Sequence, residues 1–175
     1  MNKTKEIVNS AKPLVGIIMG SASDMPVMKE ATAVLEHFKI SYEVRVLSAH
    51  RTPQETAQYA VGAEKNGLKV LIAAAGGAAH LAGVAAGLSN LPVIGVPIKS
   101  KSFEGMDSLL SMAQMPAGVP VATMAVDGAK NAALFAVRIL ATQDTRVQKL
   151  LQEYKFNMRA DVLEKAKSVN VRKIL

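Results

Sequence analysis

The sequence predicts an α/β fold, because short apolar runs rich in β-branched residues alternate along the chain with longer segments of helical periodicity. Strand–helix alternation implies right-handed crossovers and a parallel sheet that helices cover on both faces. The apolar runs show little polar alternation, as expected for strands buried on both sides. We therefore predict a three-layer αβα sandwich, a flavodoxin-like or Rossmann-like doubly wound parallel sheet of about five strands, followed by a long C-terminal helix.

The predicted elements follow one another without a repeat or a linker. Residues 1–175 are therefore expected to form a single domain, with its core at 14–142 and a helical extension at 143–175. Apolar runs predict strands at residues 14–19, 42–47, 69–75, 92–97 and 119–125. Helical spacing of apolar residues predicts helices at residues 24–38, 53–65, 80–88, 106–114, 128–141 and 144–168. Pro53 stands at the start of the second helix, where a missing N–H costs nothing.

Composition excludes several classes of function. The chain has no cysteine, which excludes disulfides, thiolate catalysis and thiolate metal sites. Aromatic residues make up only 4% of it, so stacking platforms for single-stranded nucleic acid are poorly supplied. No run approaches the roughly 18 apolar residues needed to cross a bilayer, and residues 1–12 hold no apolar signal-peptide core. We expect a cytoplasmic protein that does not bind a membrane.

The net charge of +7 lies mainly at the two ends of the chain. Residues 1–12 hold three lysines and one glutamate, and residues 143–175 hold eight basic and four acidic side chains. Such an excess fits either a nucleic-acid surface or a solvated helix of mixed charge. Because the acidic residues are interleaved with the basic ones, we expect no nucleic-acid binding. The apolar stripe from Val147 to Ala166 is expected to pack on neighbouring subunits.

In doubly wound sheets ligands bind outside the carboxyl ends of the strands, so the residues after each strand are the candidate site. After the first strand, Gly20 begins a turn that contains Ser21, Ser23 and Asp24. Ser23 or Asp24 can cap the following helix, whose N–H groups suit a phosphate, although the same pattern is ordinary helix punctuation. Asp24 repels phosphate but can accept hydrogen bonds from ribose hydroxyls.

The segment after the second strand is the most informative one. It places Ser48, Ala49, His50 and Arg51 at the end of the strand, directly before a helix. Arginine holds phosphate through two parallel hydrogen bonds, and histidine both gives and takes a proton near neutral pH. We predict that His50 is catalytic and that Arg51 binds an anionic group. The alternative is a surface arginine beside a structural histidine.

The ends of the third and fourth strands are less decisive. Gly76, Gly77 and Ala78 leave room for a ligand to reach backbone N–H groups, with His80 either as a second catalytic residue or as a helix cap. The basic loop 98–105 is either a lid over an anionic substrate or an ordinary solvated loop. Scattered histidines and few acids at strand ends predict no metal site.

Together these segments resemble the family of 5-(carboxyamino)imidazole ribonucleotide mutases, bacterial enzymes of purine synthesis. The matching segments are MGSASD (19–24), SAHRTP (48–53), AGGAAHL (75–81), LPVIGVP (91–97), GMDSLLSMAQMP (105–116) and the helix start at 131–133. The AGGAAHL segment also separates the chain from related carboxylases that use free carbon dioxide, which typically lack it.

The resemblance implies an isomerase that works without a cofactor. It would move a carboxylate from the exocyclic nitrogen of 5-(carboxyamino)imidazole ribonucleotide to carbon 4, giving 5-amino-4-imidazolecarboxylate ribonucleotide in IMP biosynthesis. His50 would be the general acid and base. The binding residues it implies are Ser21, Ser23 and Asp24 for ribose and phosphate, Ser48 and Arg51 for phosphate, and Gly76, Gly77 and His80 for the carboxylate and base, with Ala49 and Ala78 beside them. It also implies a homo-octamer whose C-terminal helices reach across neighbours.

The chain departs from the family pattern at two places. Ala82 stands where the family usually has proline, and the turn from Ala125 to Asn131 is shorter than usual and carries Asp127. Two other functions stay open: direct carboxylation of aminoimidazole ribonucleotide by carbon dioxide, and a non-catalytic nucleotide-binding module. The second would need an acidic cluster after the first strand, where only Asp24 is present.

Overall fold

The structure, a computed structural model, describes residues 12–169. Most of the basic N-terminal segment and the last residues of the extension lie outside this range, so the expectations that concern them stay predictions. The strands are β1 (Val15–Met19), β2 (Tyr42–Val46), β3 (Val70–Gly76), β4 (Val93–Ile98) and β5 (Ala122–Thr123). The helices are α1 (Met25–His37), α2 (Pro53–Gly62), α3 (Leu81–Leu88), α4 (Met106–Ala113), α5 (Ala129–Ala141) and α6 (Thr145–Val169).

All strand pairs are parallel, and the sheet has the order β2-β1-β3-β4-β5. The predicted doubly wound sandwich is confirmed. The strand order reverses at β1, because the chain first adds β2 on one side and then β3 on the other. Ligand sites of such folds lie at this reversal, outside the carboxyl ends of the strands.

Both faces of the sheet are buried at β1, β3 and β4, which explains why these strands are almost continuously apolar. In β1, Ile17 packs into a cluster with Leu35 and Phe38 on the α1 and α5 side. Its neighbour Ile18 packs with Leu71 on the side of α2, α3 and α4. Successive side chains of a strand point to opposite faces, so a strand with helices on both sides needs an apolar residue at every position.

The fifth strand is the element whose predicted extent is wrong. Pairing with β4 is limited to two residues of β5, whereas the apolar run predicted a strand over 119–125. Pro120 has no backbone N–H to donate, and Gly118 turns the chain with φ +96° just before it. The edge of the sheet that β5 forms is consequently short.

Asp144 caps the N-terminus of helix α6, because its Oδ1 accepts the backbone N–H groups of Arg146 (2.8 Å) and Val147 (3.2 Å). As far as Tyr154 its apolar stripe packs against the domain core, and Val147 is fully buried. Beyond this point Met158 and Val162 are 51% and 62% exposed. Among residues 12–169, no helix combines the length and the apolar character that a membrane span requires.

Candidate active site

A cavity of about 360 Å³ opens where the loops after β1, β2 and β3 meet. Its lining contains every site residue predicted from the sequence except Gly77. The lining residues are Gly20, Ser21, Ser23, Asp24, Ser48, Ala49, His50, Arg51, Ala75, Gly76, Ala78, His80 and Leu81. The apolar contributors Ala75 and Leu81 were not predicted as site residues, although they directly flank the glycine segment in the sequence.

Gly77 shapes a backbone turn and does not line the cavity. Its φ of +63° lies in the left-handed region, where glycine has no steric cost. A Cβ atom added there would meet nothing within 4 Å. The second glycine of the segment therefore makes the sharp turn that brings Ala78 and His80 back to the rim.

The residue that caps the helical turn after β1 differs from the expected one. Ser21, and not Ser23 or Asp24, accepts the backbone N–H of Ser23 with its Oγ (3.2 Å), while Asp24 makes no capping bond. A short 3₁₀ turn, Ala22–Asp24, intervenes between β1 and α1, which moves the cap earlier in the chain. The carboxylate of Asp24 is thereby left available to the cavity.

Asp24 is a desolvated carboxylate, only 6% exposed. Burial raises the pKa of Asp24 above its ordinary value, and contacts with Ser23 and Ser21 and the charge of Arg51 offset part of the rise. The Ser23 hydroxyl lies 3.3 Å from its Oδ1. Such a group is suited to accept hydrogen bonds from the hydroxyls of a ligand, because water competes poorly for it.

The second loop holds Arg51 in a fixed orientation. The backbone N–H of Ser48 bonds Thr52 Oγ1 (2.8 Å), and the same hydroxyl donates to the Ser48 carbonyl (3.1 Å). Arg51 Nη2 donates to the Gly20 carbonyl (2.8 Å), and its Nε lies 3.4 Å from Ser48 Oγ. Nη1 makes no hydrogen bond to any described residue, so its two donors remain for an anion at the rim.

The two predicted catalytic histidines meet across the end of β1. His50 Nε2 lies 2.8 Å from His80 Nδ1, with the ring planes at 84°. Their strands β2 and β3 flank β1 and are thus about 10 Å apart, so the loops that follow the strands bring the two rings together. His80 occupies the N-cap position of α3, but its side chain makes no capping hydrogen bond.

The basic loop after β4 and the third histidine of the chain, His37, are the remaining features to place. No residue of the loop 98–105 is among the lining residues, and Lys99 is paired with Glu104 instead. His37 is exposed on α1, with its ring 6.0 Å from that of Tyr154. Among residues 12–169 no three His, Cys, Asp or Glu side chains cluster in a way that could hold a metal ion.

Comparison with known proteins finds one family over most of the chain. The family model described as AIR carboxylase matches residues 14–161. The N5-carboxyaminoimidazole ribonucleotide mutase of Pyrococcus horikoshii is 58% identical over 160 residues, covering 91% of this chain and 90% of that protein. The enzyme of the same name from Thermotoga maritima is 54% identical, covering 88% and 90%. Phosphoribosylaminoimidazole carboxylase of Saccharomyces cerevisiae is 51% identical over 90% of this chain, which corresponds to 28% of that longer protein.

Solved structures give the same result. The crystal structure of Treponema denticola PurE superimposes with a TM-score of 0.83 at 31% identity, over 91% of this chain and 99% of that one. Fold, sequence and family model agree over nearly the whole described range. The chain belongs to the AIR carboxylase family.

Proposed function

We propose that this chain is an isomerase, a carboxyl mutase that converts 5-(carboxyamino)imidazole ribonucleotide to 5-amino-4-imidazolecarboxylate ribonucleotide in purine biosynthesis. The observation that carries the proposal is the pair His50–His80 at 2.8 Å, in a cavity whose rim also holds Arg51 and a serine-rich turn. One part of the cavity can exchange protons and the other can hold a phosphorylated ribose. The mutase relatives at 54% to 58% identity support the same reaction.

Substrate binding is divided between two loops. Arg51 and Ser48 hold the phosphate, since the guanidinium already points across the rim and keeps unused donors on Nη1. Ser21 and Ser23 add hydroxyl donors, and Asp24 accepts hydrogen bonds from ribose. The backbone near Gly76 and Ala78, with Ala49 opposite, borders the imidazole and its carboxylate.

The proton chemistry is assigned to His50. Its protonated ring gives a proton to the exocyclic nitrogen as the nitrogen–carbon bond of the carbamate breaks and carbon dioxide forms. Carbon 4 then attacks the retained carbon dioxide, a carbon–carbon bond forms, and His50 takes the proton that carbon 4 releases. The residue ends as it began, and no cofactor is consumed. Retention of carbon dioxide in the cavity keeps it close to carbon 4. Histidine is a side chain that can both give and take a proton.

His80 orients His50 and can share its proton. A single hydrogen bond between Nε2 and Nδ1 requires that one nitrogen donates and the other accepts. Whichever ring donates, the contact fixes whether His50 Nε2 carries a proton and restrains the ring. This restraint keeps the reactive imidazole beside the position of the substrate nitrogen and carbon 4.

Assembly and location complete the proposal. In the distal half of α6 (residues 156–169), Met158 and Val162 of the apolar stripe are 51% and 62% exposed, as expected of a helix that packs on other subunits. A homo-octamer, as implied by the family resemblance, would bury this stripe. We assign the enzyme to the cytoplasm because its proposed substrate is an intermediate of purine synthesis, and we assign no nucleic-acid partner.

Two parallel assays test the reaction. Purified protein is given 5-(carboxyamino)imidazole ribonucleotide in one, and aminoimidazole ribonucleotide with bicarbonate in the other, and formation of the 4-carboxylated product is followed. The mutase assignment expects turnover of the carbamate at low bicarbonate. Turnover of the precursor with bicarbonate alone would instead establish direct carboxylation of aminoimidazole ribonucleotide. If neither assay gave product, the remaining function would be non-catalytic nucleotide binding.

A further inference from the structure

Asp127 extends the pairing of β4 beyond the short strand β5. The last regular bond of this edge runs from the Met124 N–H to the Gly95 carbonyl (2.9 Å). The chain then leaves the sheet and returns three residues later, where the Asp127 N–H donates to the Pro97 carbonyl (2.8 Å). The side chain completes the pattern, because Asp127 Oδ1 accepts the backbone N–H of Lys99 at 3.0 Å. A carboxylate oxygen thus takes the place of a strand carbonyl.

The backbone of Asp127 fits this task. Its φ of +56° lies in the left-handed region, which aspartate and asparagine enter more readily than other side chains. The turn is the same one that departs from the family pattern by its shortness and its negative charge. The structure gives that charge a partner in the N–H of Lys99.

Both ends of the loop 99–105 converge on this turn. Lys99, at the first end, is bonded to Asp127. Gly105, at the second end, adopts φ +92°, and a Cβ there would lie 3.3 Å from Lys99 Cα and 2.5 Å from a methyl group of Val126. The loop is therefore closed at its base, in the manner of a compact Ω-loop.

The base of this loop adjoins the cavity. Ile98, the residue before the loop, is the parallel partner of Gly76 in the sheet, and Gly76 lines the cavity. The approach is close, since a Cβ on Gly76 would lie 3.3 Å from the Ile98 carbonyl oxygen. A change in the direction in which the loop leaves β4 would therefore displace Gly76, which lies one strand away at the rim of the cavity.

We propose that Asp127 is a positioning residue, which fixes the loop 99–105 beside the substrate cavity before substrate arrives; this inference rests on the proposed function. Ordering a loop at the moment of binding costs conformational entropy, and a loop that is already ordered avoids that cost. The residue touches no substrate. Its effect should therefore appear in KM, while kcat is maintained.

The test compares Asp127→Gly with Asp127→Asn. Glycine accepts the positive φ without strain but removes the acceptor, whereas asparagine keeps an oxygen acceptor and the backbone preference. We expect Asp127→Gly to raise KM about tenfold with kcat within about twofold of wild type, and Asp127→Asn to restore KM. Glu104→Gln, which removes only the exposed ion pair to Lys99, is the control and should leave both parameters nearly unchanged.

Amide hydrogen exchange at Lys99 reports the contact without any assay of activity. We expect exchange at this N–H to accelerate by about tenfold or more in Asp127→Gly and to stay near wild type in Asp127→Asn. Unchanged exchange, unchanged KM, or a loss confined to kcat in Asp127→Gly would each overturn the inference. A wild-type protein that binds the carbamate but does not turn it over would overturn the proposed reaction instead, and the effect of Asp127→Gly on the substrate Kd would then decide the positioning role.

Discussion

The rim of the cavity and the distal half of α6 both present side chains to solvent, but they do so in opposite ways. At the rim, residues from three loops converge, and hydrogen bonds hold His50, Arg51 and Ser21 in place. Along the distal half of α6, apolar side chains such as Met158 and Val162 are exposed among charged ones, and they all come from one helix. Convergence of polar groups from several strands makes a small-ligand site, whereas an apolar stripe on one helix can only be covered by another surface.

The difference extends to what each region contributes to stability. The rim includes Asp24, whose burial disfavours its charged form, so part of the site is held at an energetic cost. The distal half of α6 buries little of its surface against the domain, since residues such as Phe156 are 67% exposed. Substitutions at the rim should therefore change chemistry without changing assembly, and changes in α6 should do the reverse.

Replacement of His50 should give the largest effect. His50→Asn keeps a polar side chain but cannot cycle a proton, so we expect kcat to fall by about a hundredfold or more, with substrate Kd and molecular mass unchanged. Steady-state kinetics and equilibrium binding measure the two quantities. His37→Asn, at an exposed histidine outside the cavity, is the matched control and should retain activity. Near-wild-type turnover in His50→Asn would refute the catalytic assignment.

Removal of the guanidinium should have the next largest effect. Arg51→Ala is expected to weaken substrate binding by about ten- to a hundredfold, because a charged hydrogen-bond partner of the phosphate is lost. The loss should largely disappear when the corresponding nucleoside, which lacks the phosphate, is used as the ligand. Arg45→Ala, at an exposed arginine of β2, serves as the control. Equal losses for nucleotide and nucleoside would contradict a phosphate-binding role.

Truncation of α6 tests the other side of the comparison. Deletion of residues 157–175 removes the exposed part of the apolar stripe, so we expect a smaller or less stable oligomer by light scattering. DNA affinity at moderate salt should be negligible both before and after truncation. An unchanged assembly, together with salt-sensitive DNA binding that the deletion abolishes, would show that the basic helix binds nucleic acid.

The smallest expected effect concerns Asp24. Because its pKa is raised in the folded protein, the ionised carboxylate destabilises the fold above that pKa, and the penalty fades as the pH falls toward and below the ordinary value of 3.8. Asp24→Asn should therefore raise Tm slightly at pH 7, have little effect in acid, and weaken substrate binding. Thermal melts across this pH range measure the shift. A lower Tm at pH 7 would show that the carboxylate stabilises the site instead.

Much of this molecule was predictable because its signals are local. The run from Leu14 predicts β1 to within one residue of its observed start, since apolar continuity over a few residues depends on no distant contact. The polar segments at the strand ends could equally be predicted as the ligand site, because a doubly wound fold places ligands there. Family motifs then assigned roles to His50 and Arg51 that no local pattern could distinguish from a surface pair.

The sequence by itself thus determined the elements, their alternation and the segments that carry the chemistry. Only the tertiary structure decided which of these residues meet. His50 contacts His80, Arg51 bonds the Gly20 carbonyl and Asp127 holds Lys99 across separations of 30, 31 and 28 residues. Each contact exists because the strand order β2-β1-β3-β4-β5 brings the two chain segments together, and strand order is set by packing of the whole sheet rather than by any local run of residues.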